Sequence, residues 1–384
     1  MANSRSLLNL LLITVCLSAV GSAKPTAAQE PPSGIKCVKR EAVATPPRAV
    51  LPSVRPVGGK EQEHEAAPKL KPVCPEGEVP VPVAPSTRHF IKGNPMLRSY
   101  AAPGPAQPLP GDFVNHNLLR PFDQTYWKRD GKPTPSRSKP IHGSGDPPCD
   151  GMAWFGSCFY YGTAAEQVVA DGGGMTLQIE APKVVGDDDH SIGEIAVMGP
   201  GGAGGSLDDV EMGFSVSSGQ WGDNKSHLFV YHWNDGNETC YDTCNWNQVS
   251  NTYYPGMDLT PLVGKFVYIG WVQYREAWWA WFNDQWLGYI NNSAWTTAFT
   301  KTAQIQWYGE VASNNGIPPQ TQMGDGQFPA KPTAAGMTTL CYVNAKAWVC
   351  YYNDSQSTGA TDTNYYDIQN HTSFGAVRYG GPGQ

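Results

Sequence analysis

Two glutamates lie within segments whose residues alternate between apolar and polar. In "DDVEMGFSVSS", residues 208–218, every second residue is apolar and Glu211 falls between them. In "QIQWYGEVA", residues 304–312, Glu310 occupies the same kind of position. Alternation with a period of two is typical of β-strands, so each glutamate is predicted to lie on the polar face of a sheet.

A pair of carboxyl groups on one sheet face can perform acid–base chemistry. Two carboxylates held close together do not easily both ionise, so one keeps a proton while the other acts as a base. A water molecule between them could give a proton to one and attack a carbonyl carbon, while the other protonates the leaving amine. The alternative is a pair of ordinary surface glutamates. The pattern leaves open which carboxyl group would be base and which acid.

Three more polar side chains are candidates for binding a substrate. Gln306 and Tyr308 are predicted to share the face of Glu310, because they stand four and two residues before it, respectively. Gln322 belongs to the motif "TQMGDGQFP" at 321–329. The hydroxyl group of Tyr308 could supply a hydrogen-bond donor to a developing negative charge.

The elements that would position these residues are predicted to be strands. Short aromatic and β-branched runs recur after residue 150, such as "GEIAVMG" at 193–199, and no convincing amphipathic helix of ten or more residues interrupts them. The runs at 265–274 and 277–283 predict a hairpin across "REA". We therefore expect an all-β fold in which two antiparallel sheets pack as a jelly-roll-like sandwich.

Composition divides the chain near residue 150. Of its 33 prolines, 24 lie in residues 1–150. Residues 24–150 hold 18 Lys and Arg against 12 Asp and Glu, whereas residues 151–384 hold 8 against 22. The proline density predicts a mostly extended, basic pro-segment over 24–148, without regular strand ladders, held partly by charge against an acidic globular domain over 149–384. A simple linker or stalk is the alternative.

The first residues are typical of a signal peptide. Arg5 precedes the apolar run "LLNLLLITVCLSAV" at 7–20, and small residues follow at 21–23. Residues 1–23 are therefore predicted to direct secretion and to be removed. The run is shorter than a membrane-spanning helix, so no membrane partner is expected. The net charge of −7 argues against a nucleic-acid partner. We also expect the protein to be a monomer.

Eight cysteines remain after the signal peptide, and an even number in an exported chain predicts disulfides. Close spacing favours three local pairs and leaves two upstream cysteines for each other. In that order the pairs are Cys149–Cys158, Cys240–Cys244, Cys341–Cys350 and Cys37–Cys74. No C-x-x-C pair occurs, so no metal site is expected, and no cofactor is implied. The acidic run "DDDH" at 187–190 is interpreted as a solvated loop rather than a cation site.

The aromatic run "WVQYREAWWAWFNDQW" at 271–286 supports a second hypothesis. Aromatic rings on a β-sandwich can stack on the apolar faces of sugars. Half of these rings are expected to face the core, and the others could form subsites for proline or for sugar. A non-catalytic, secreted carbohydrate-binding module is therefore the alternative to an enzyme.

Seven separated motifs bear on that choice, and they include both glutamate-bearing strands. They are "YYGTAA" (160–165), "LQIEAPKV" (177–184), "VEMGFSV" (210–216), "WGDNKSHLFVYHWNDG" (221–236), "CYDTC" (240–244), "IQWYGEV" (305–311) and "TQMGDGQFP" (321–329). In this order they resemble the neprosin family of secreted glutamic peptidases, over roughly residues 150–384.

The resemblance implies a two-sheet sandwich and an acid-active endopeptidase that prefers the bond after proline. It places the family's two catalytic glutamates on Glu211 and Glu310. It also implies a zymogen with an N-terminal activation segment, so that the expected partners are proline-containing peptides and the chain's own pro-segment.

Overall fold

The structure, a computed structural model, describes a defined set of residues. They are 32, 34–40, 67–83, 151–154, 157–199, 208–234, 237–238, 242, 244–313, 319–344, 349–352, 356–371 and 375–384. The predicted signal peptide and most of the predicted pro-segment lie outside these residues.

Nineteen strands account for most of the described residues. The first ten are β1 (Ile35–Lys39), β2 (Glu78–Pro82), β3 (Met152–Trp154), β4 (Ser157–Glu166), β5 (Gly172–Gln178), β6 (His190–Met198), β7 (Asp209–Val216), β8 (Ser226–Asn234), β9 (Asn237–Glu238) and β10 (Trp246–Gln248). The others are β11 (Phe266–Tyr274), β12 (Ala277–Phe282), β13 (Gln285–Asn291), β14 (Gln304–Ser313), β15 (Gly336–Asn344), β16 (Val349–Tyr352), β17 (Ser357–Ala360), β18 (Asp367–His371) and β19 (Ala376–Gly380). One short helix, α1 (Ser218–Trp221), and two 3₁₀ turns, Thr260–Leu262 and Asn292–Ala294, lie between strands.

The strands after residue 150 form two antiparallel sheets. The first, which we call the site sheet, has the order β17-β4-β14-β6-β7-β8-β9, with β3 added to β4. The second, the opposite sheet, has the order β10-β13-β12-β11-β5-β15-β19-β18, with β16 added to β15. The predicted all-β sandwich is thereby confirmed.

The core lies between the two sheets. The site sheet contributes alternate residues of β7 and β14, such as Met212 and Trp307, which are fully buried in the main hydrophobic cluster. The opposite sheet contributes Ile269 and Trp278 to the same cluster. The odd-numbered residues of β7 therefore point to the face of the site sheet that is turned away from the core, as the alternation predicted.

The predicted aromatic hairpin is confirmed. Strands β11 and β12 pair from Tyr274↔Ala277 onward, and Arg275 takes a positive φ of 57° in the tight turn between them. Alternation divides the rings of this region: Trp278 faces the core, whereas Trp279 lies in a cluster on the outer face of the opposite sheet. There its ring stacks on that of Tyr289 at 4.5 Å.

A small ladder also forms upstream, where the sequence predicted none. Strands β1 and β2 pair antiparallel, and the Cys37–Cys74 disulfide joins the two segments that carry them. We call these segments, residues 34–40 and 67–83, the upstream unit. The expectation of ladder-free extended chain is wrong at these residues. A two-stranded sheet has only edge strands, so Pro80 and Pro82 in β2 can direct their missing N–H groups away from the partner.

The upstream unit docks on the sandwich chiefly through neutral groups. The backbone N–H groups of Val73 and Cys74 both donate to the carbonyl oxygen of Asn251, and the N–H of Leu70 donates to the hydroxyl of Tyr253. Leu70 and Val73 also pack against the main core.

Charge adds an exposed ion pair to this docking. Lys69 Nζ lies 3.1 Å from Asp284 Oδ2, and the Lys69 side chain is 81% exposed. Exposed pairs of this kind contribute little to stability. At the described residues the upstream unit is therefore held more by hydrogen bonds and apolar contact than by opposite charge.

Two of the predicted disulfides are confirmed, Cys37–Cys74 and Cys341–Cys350. Cys158 and Cys244 are each disulfide-bonded as well. Their predicted partners, Cys149 and Cys240, lie outside the described residues. Within the part of the chain that the structure describes, no helix has the length and apolar character needed to cross a membrane.

Candidate active site

Glu211 and Glu310 lie on the same face of the site sheet. Glu211 is in β7 and Glu310 in β14, and β6 runs between these strands. Ala196 of β6 is opposite both Gln306 and Glu211, whereas Ile192 is opposite Glu310. We call the face that carries both glutamates the polar face.

The pairing also fixes how far apart the two glutamates lie along the sheet. Glu211 lies in the row of Gln306, four residues along β14 from Glu310. On an ideal sheet this offset corresponds to two strand spacings of about 4.8 Å and four residues of about 3.4 Å each. The two carboxyl groups can therefore approach only if both side chains extend toward the middle of β6.

Glu194 occupies that middle position. It lies opposite Tyr308 of β14 and opposite Gly213 of β7, so it is a diagonal neighbour of both Glu211 and Glu310. Diagonal neighbours in a sheet have β-carbons about 7–8 Å apart, which is within the reach of two glutamate side chains. The polar face therefore carries three carboxyl groups in one patch.

Gly213 allows the strands to approach closely at this point. A β-carbon at residue 213 would stand 2.0 Å from the carbonyl oxygen of Gly193 and 2.7 Å from the β-carbon of Glu194. No side chain larger than hydrogen fits there without moving β6. The glycine also leaves the space beside Glu194 without a competing side chain from β7.

The polar face is buried, although the sequence predicted it as a polar sheet surface. Glu194, Glu211, Gln306, Tyr308 and Glu310 are all 0% exposed in the whole chain. Burial of carboxyl groups is costly unless hydrogen bonds or opposite charges accompany them. Their contacts therefore indicate how the site is organised.

Glu310 contacts a histidine. His190 Nε2 lies 2.8 Å from Glu310 Oε1, and the His190 side chain is 1% exposed. The ring of Phe159 packs against the imidazole with 5.9 Å between centroids. His190 is the first residue of β6, opposite Ala312, so it lies on the polar face next to Glu310.

The neighbouring aspartate fixes the start of β6. Asp189 is fully buried, and its Oδ2 accepts hydrogen bonds from Ser313 Oγ at 3.1 Å and Thr321 Oγ1 at 2.6 Å. The prediction of a solvated loop at 187–190 therefore holds for Asp187 and Asp188, which are exposed, and is wrong for the two residues that follow.

Glu211 contacts the phenol of Tyr308. The hydroxyl group of Tyr308 donates to Glu211 Oε1 at 3.4 Å, so the side chain reaches from β14 across β6 to β7. The ring of Tyr161 meets that of Tyr308 edge-on at 6.2 Å. Tyr308 is thus placed to interact with one carboxyl group of the patch, as a substrate-binding or donor residue would be.

The two predicted glutamines differ in their placement. Gln306 lies in the row of Glu211, and among the described residues its side-chain amide makes no hydrogen bond. An amide buried in that state is suited to bind a peptide group. Gln322 instead accepts a hydrogen bond from the N–H of Lys183 at 3.0 Å, away from the polar face.

Glu180, Asp242 and His232 lie away from the polar face and have shifted pKa values. Burial, followed by the charge of Asp325, raises the pKa of Glu180 to about 7. Burial raises the pKa of Asp242 to about 8, against the opposing effect of a hydrogen bond from the N–H of Val230. Burial lowers the pKa of His232 to about 4.

Among the described residues, no three or more His, Cys, Asp or Glu side chains are arranged to hold a metal ion.

Sequence comparison decides the family. The model of the neprosin family matches residues 187–382, which is more than half of the chain and includes β7 and β14. The chain belongs to the neprosin family. Within this neprosin-family chain, both glutamates singled out from the sequence fall inside the matched region.

The solved structures that match this neprosin-family chain do so with low sequence identity and low TM-scores. A scytalido-glutamic peptidase bound to a peptide-based transition-state analogue matches with 11% identity over 58% of this chain and 97% of its own, at a TM-score of 0.35. SCP-B, a member of the eqolisin peptidase family in complex with the tripeptide Ala-Ile-His, matches with 13% identity over 58% and 97%, at 0.33. A β-glucanase from Bacillus licheniformis matches with 11% identity over 59% and 80%, at 0.26.

Proposed function

We propose that this protein is a glutamic endopeptidase that hydrolyses peptide bonds through Glu211 and Glu310. Membership of the neprosin family supports the reaction class. The observation that carries the proposal is the buried patch on the polar face, where both glutamates lie with Glu194 between them. Buried carboxyl groups whose charges interact are suited to share and transfer protons.

The proposed reaction adds one water molecule across the peptide bond. One carboxylate takes a proton from water, and the water oxygen forms a bond to the scissile carbonyl carbon while the C=O π electrons move to oxygen. The oxyanion then re-forms the C=O bond as the C–N bond breaks, and the second carboxyl group gives its proton to the leaving nitrogen. The proton then returns from the first carboxyl group to the second. The central position of Glu194 makes it a candidate for that transfer.

The other polar residues have supporting roles in this proposal. The hydroxyl of Tyr308 and the amide of Gln306 are placed to bind the carbonyl oxygen of the substrate or its neighbouring peptide groups. Gln322 is left without a direct role, because its side-chain oxygen accepts a hydrogen bond from the backbone N–H of Lys183. A preference for the bond after proline is part of the proposal on the strength of the family resemblance alone.

We further propose that the chain is secreted as a zymogen, with the signal peptide at 1–23, a pro-segment over 24–148 and the catalytic domain over 149–384. The disulfides support an oxidising compartment. The complete burial of Glu211 and Glu310 in the full chain supports latency, since a substrate cannot reach them in this state.

A single experiment tests activity, bond preference and acid dependence together. Peptides from a denatured proteome are incubated with the acid-treated protein at pH 2–7, and the new termini are identified by mass spectrometry. We expect cleavage at acidic pH, concentrated after proline. Glu211→Gln and Glu310→Gln are expected to lower kcat by at least about 10³-fold while the fold stays intact. The matched control, Glu276→Gln, changes an exposed glutamate and should cleave like the wild type.

Two results would refute parts of the proposal. Full cleavage by either glutamine variant would remove the two-glutamate mechanism. Equal cleavage of the peptides at pH 3 and pH 7 would remove the acid dependence. The alternative of a carbohydrate-binding module gains no support from the outer aromatic cluster, because the ring of Trp279 is already stacked on Tyr289.

A further inference from the structure

His190 and Glu310 are in close contact on the polar face. Nε2 and Oε1 are 2.8 Å apart, and the two side chains are 1% and 0% exposed. An ionised carboxylate only accepts hydrogen bonds, so in that state the imidazole carries the hydrogen on Nε2. Burying a protonated imidazole beside a carboxylate costs less free energy than burying either charge alone, because the two opposite charges attract each other.

The groups that surround this contact are almost all acidic. The titratable side chains that face it from the packed strands are Tyr161, Glu194, Glu211, Tyr308 and His227. Four of these are carboxylic acids or phenols. The fifth, His227, is in contact with the carboxylate of Asp223 at 2.9 Å and stacks on Trp221. His190 is therefore placed to bring positive charge to the acidic patch.

We propose that His190 is a positioning residue that makes Glu310 the base of the pair. This inference rests on the proposed function. The protonated imidazole holds Oε1 of Glu310 and keeps the carboxylate ionised, so Oε2 is the atom that takes the proton from water. Glu211, which meets the neutral hydroxyl of Tyr308 at 3.4 Å, is the group that gives a proton to the leaving nitrogen.

The alternative assignment has less support from the geometry. A charged donor at 2.8 Å stabilises a carboxylate more than a phenol at 3.4 Å does, because charge-assisted hydrogen bonds are shorter and stronger. His190 is fixed in place from both sides, by the ring of Phe159 and by the bonds that Asp189 receives from Ser313 and Thr321. The imidazole therefore fixes the orientation of the Glu310 carboxyl group and also favours its ionised form.

Two substitutions at residue 190 separate charge from position. In His190→Gln the amide nitrogen can occupy the place of Nε2, so the hydrogen bond remains and the positive charge is lost. We expect the acidic limb of the kcat/KM profile to move to higher pH by about 1–3 units, with KM little changed. In His190→Phe the hydrogen bond is lost too, and we expect kcat to fall by at least about 10-fold at every pH.

A measurement on the unsubstituted protein gives an independent readout. NMR of the histidine-labelled, matured protein should show the His190 imidazole protonated throughout the pH range in which the enzyme cleaves. The same signal in Glu310→Gln should lose its proton at a lower pH. The matched control is His232→Gln, a buried histidine off the polar face, which should keep the wild-type pH profile.

The outcomes distinguish this inference from the proposed function. Full activity of Glu310→Gln would overturn the function and the inference together. An inert Glu310→Gln beside a His190→Gln variant with the wild-type pH profile would overturn the inference alone. A neutral His190 imidazole in the active range of the wild type would do the same.

Discussion

Substitution of Glu180 tests how burial makes this protein more stable in acid. The carboxyl group is 7% exposed, and burial with the charge of Asp325 raises its pKa from 4.5 to about 7. The folded state therefore binds a proton more tightly than the unfolded state does. This contribution to stability is fully present below pH 4.5, declines as the pH rises, and is lost above pH 7.

The size of the effect follows from the shift. One pKa unit corresponds to about 1.4 kcal/mol, so ionisation of Glu180 costs the folded state up to about 3 kcal/mol at pH 8. The neutral variant Glu180→Gln avoids that cost. A domain of this size gains about 2–4 °C in Tm per kcal/mol. We expect the variant to melt about 5–10 °C above the wild type at pH 8 and close to it at pH 4.

Differential scanning calorimetry at pH 4, 6 and 8 provides the assay. The control Glu276→Gln removes an exposed carboxyl group and should leave Tm unchanged at each pH. An equal gain for Glu180→Gln at pH 4 and pH 8 would show that packing, not ionisation, causes it. No gain at pH 8 would show that the folded protein solvates the carboxylate well enough to remove the cost.

Three further substitutions probe other groups. In calorimetry, His232→Gln should be more stable than the wild type at pH 4 but not at pH 8. The pKa of His232 is lowered to about 4 in the folded state, so the wild type loses stability as the pH falls from 6.5 toward 4. Tyr308→Phe should lower kcat about 10–100-fold without changing Tm, since it removes the hydroxyl donor to Glu211. Gly213→Ala should lose at least about 2 kcal/mol in urea denaturation, because its methyl group would meet the carbonyl of Gly193.

Local alternation was enough to predict the strands that carry the candidate catalytic pair. The apolar residues of β7 and β14 face the core, and Glu211 and Glu310 face away from it, as their period of two indicates. Such a pattern is a property of one strand, so it can be recognised from the sequence without knowing which strands are its neighbours. The sandwich and the aromatic hairpin follow from the same kind of local signal.

Contacts between strands were beyond reach of the sequence. The run "GEIAVMG" predicted a strand from residue 193, but β6 begins three residues earlier, at His190. That extension places His190 on the same face as Glu194 and beside Glu310. The central position of Glu194 depends on the register of three strands, which is set by long-range pairing rather than by any local pattern.

The upstream unit was predicted least well, for a related reason. The proline content describes the whole segment only on average. The pairing of β1 with β2 depends instead on a few particular residues and on the disulfide between Cys37 and Cys74. Its docking partners, Asn251 and Tyr253, lie far along the chain. Neither contact leaves a signal in the proline-rich segment itself.

This docking has a consequence for a chain that is cut between residues 84 and 148. The Cys37–Cys74 disulfide joins two positions on the same side of such a cut, and the other cysteines after the signal peptide all lie beyond it, so no disulfide links the fragments. The hydrogen bonds to Asn251 and the apolar contacts of Leu70 nevertheless survive it. The clipped protein then migrates as one species on a native gel, separates into two bands in detergent without reductant, and yields two amino-terminal sequences by Edman degradation.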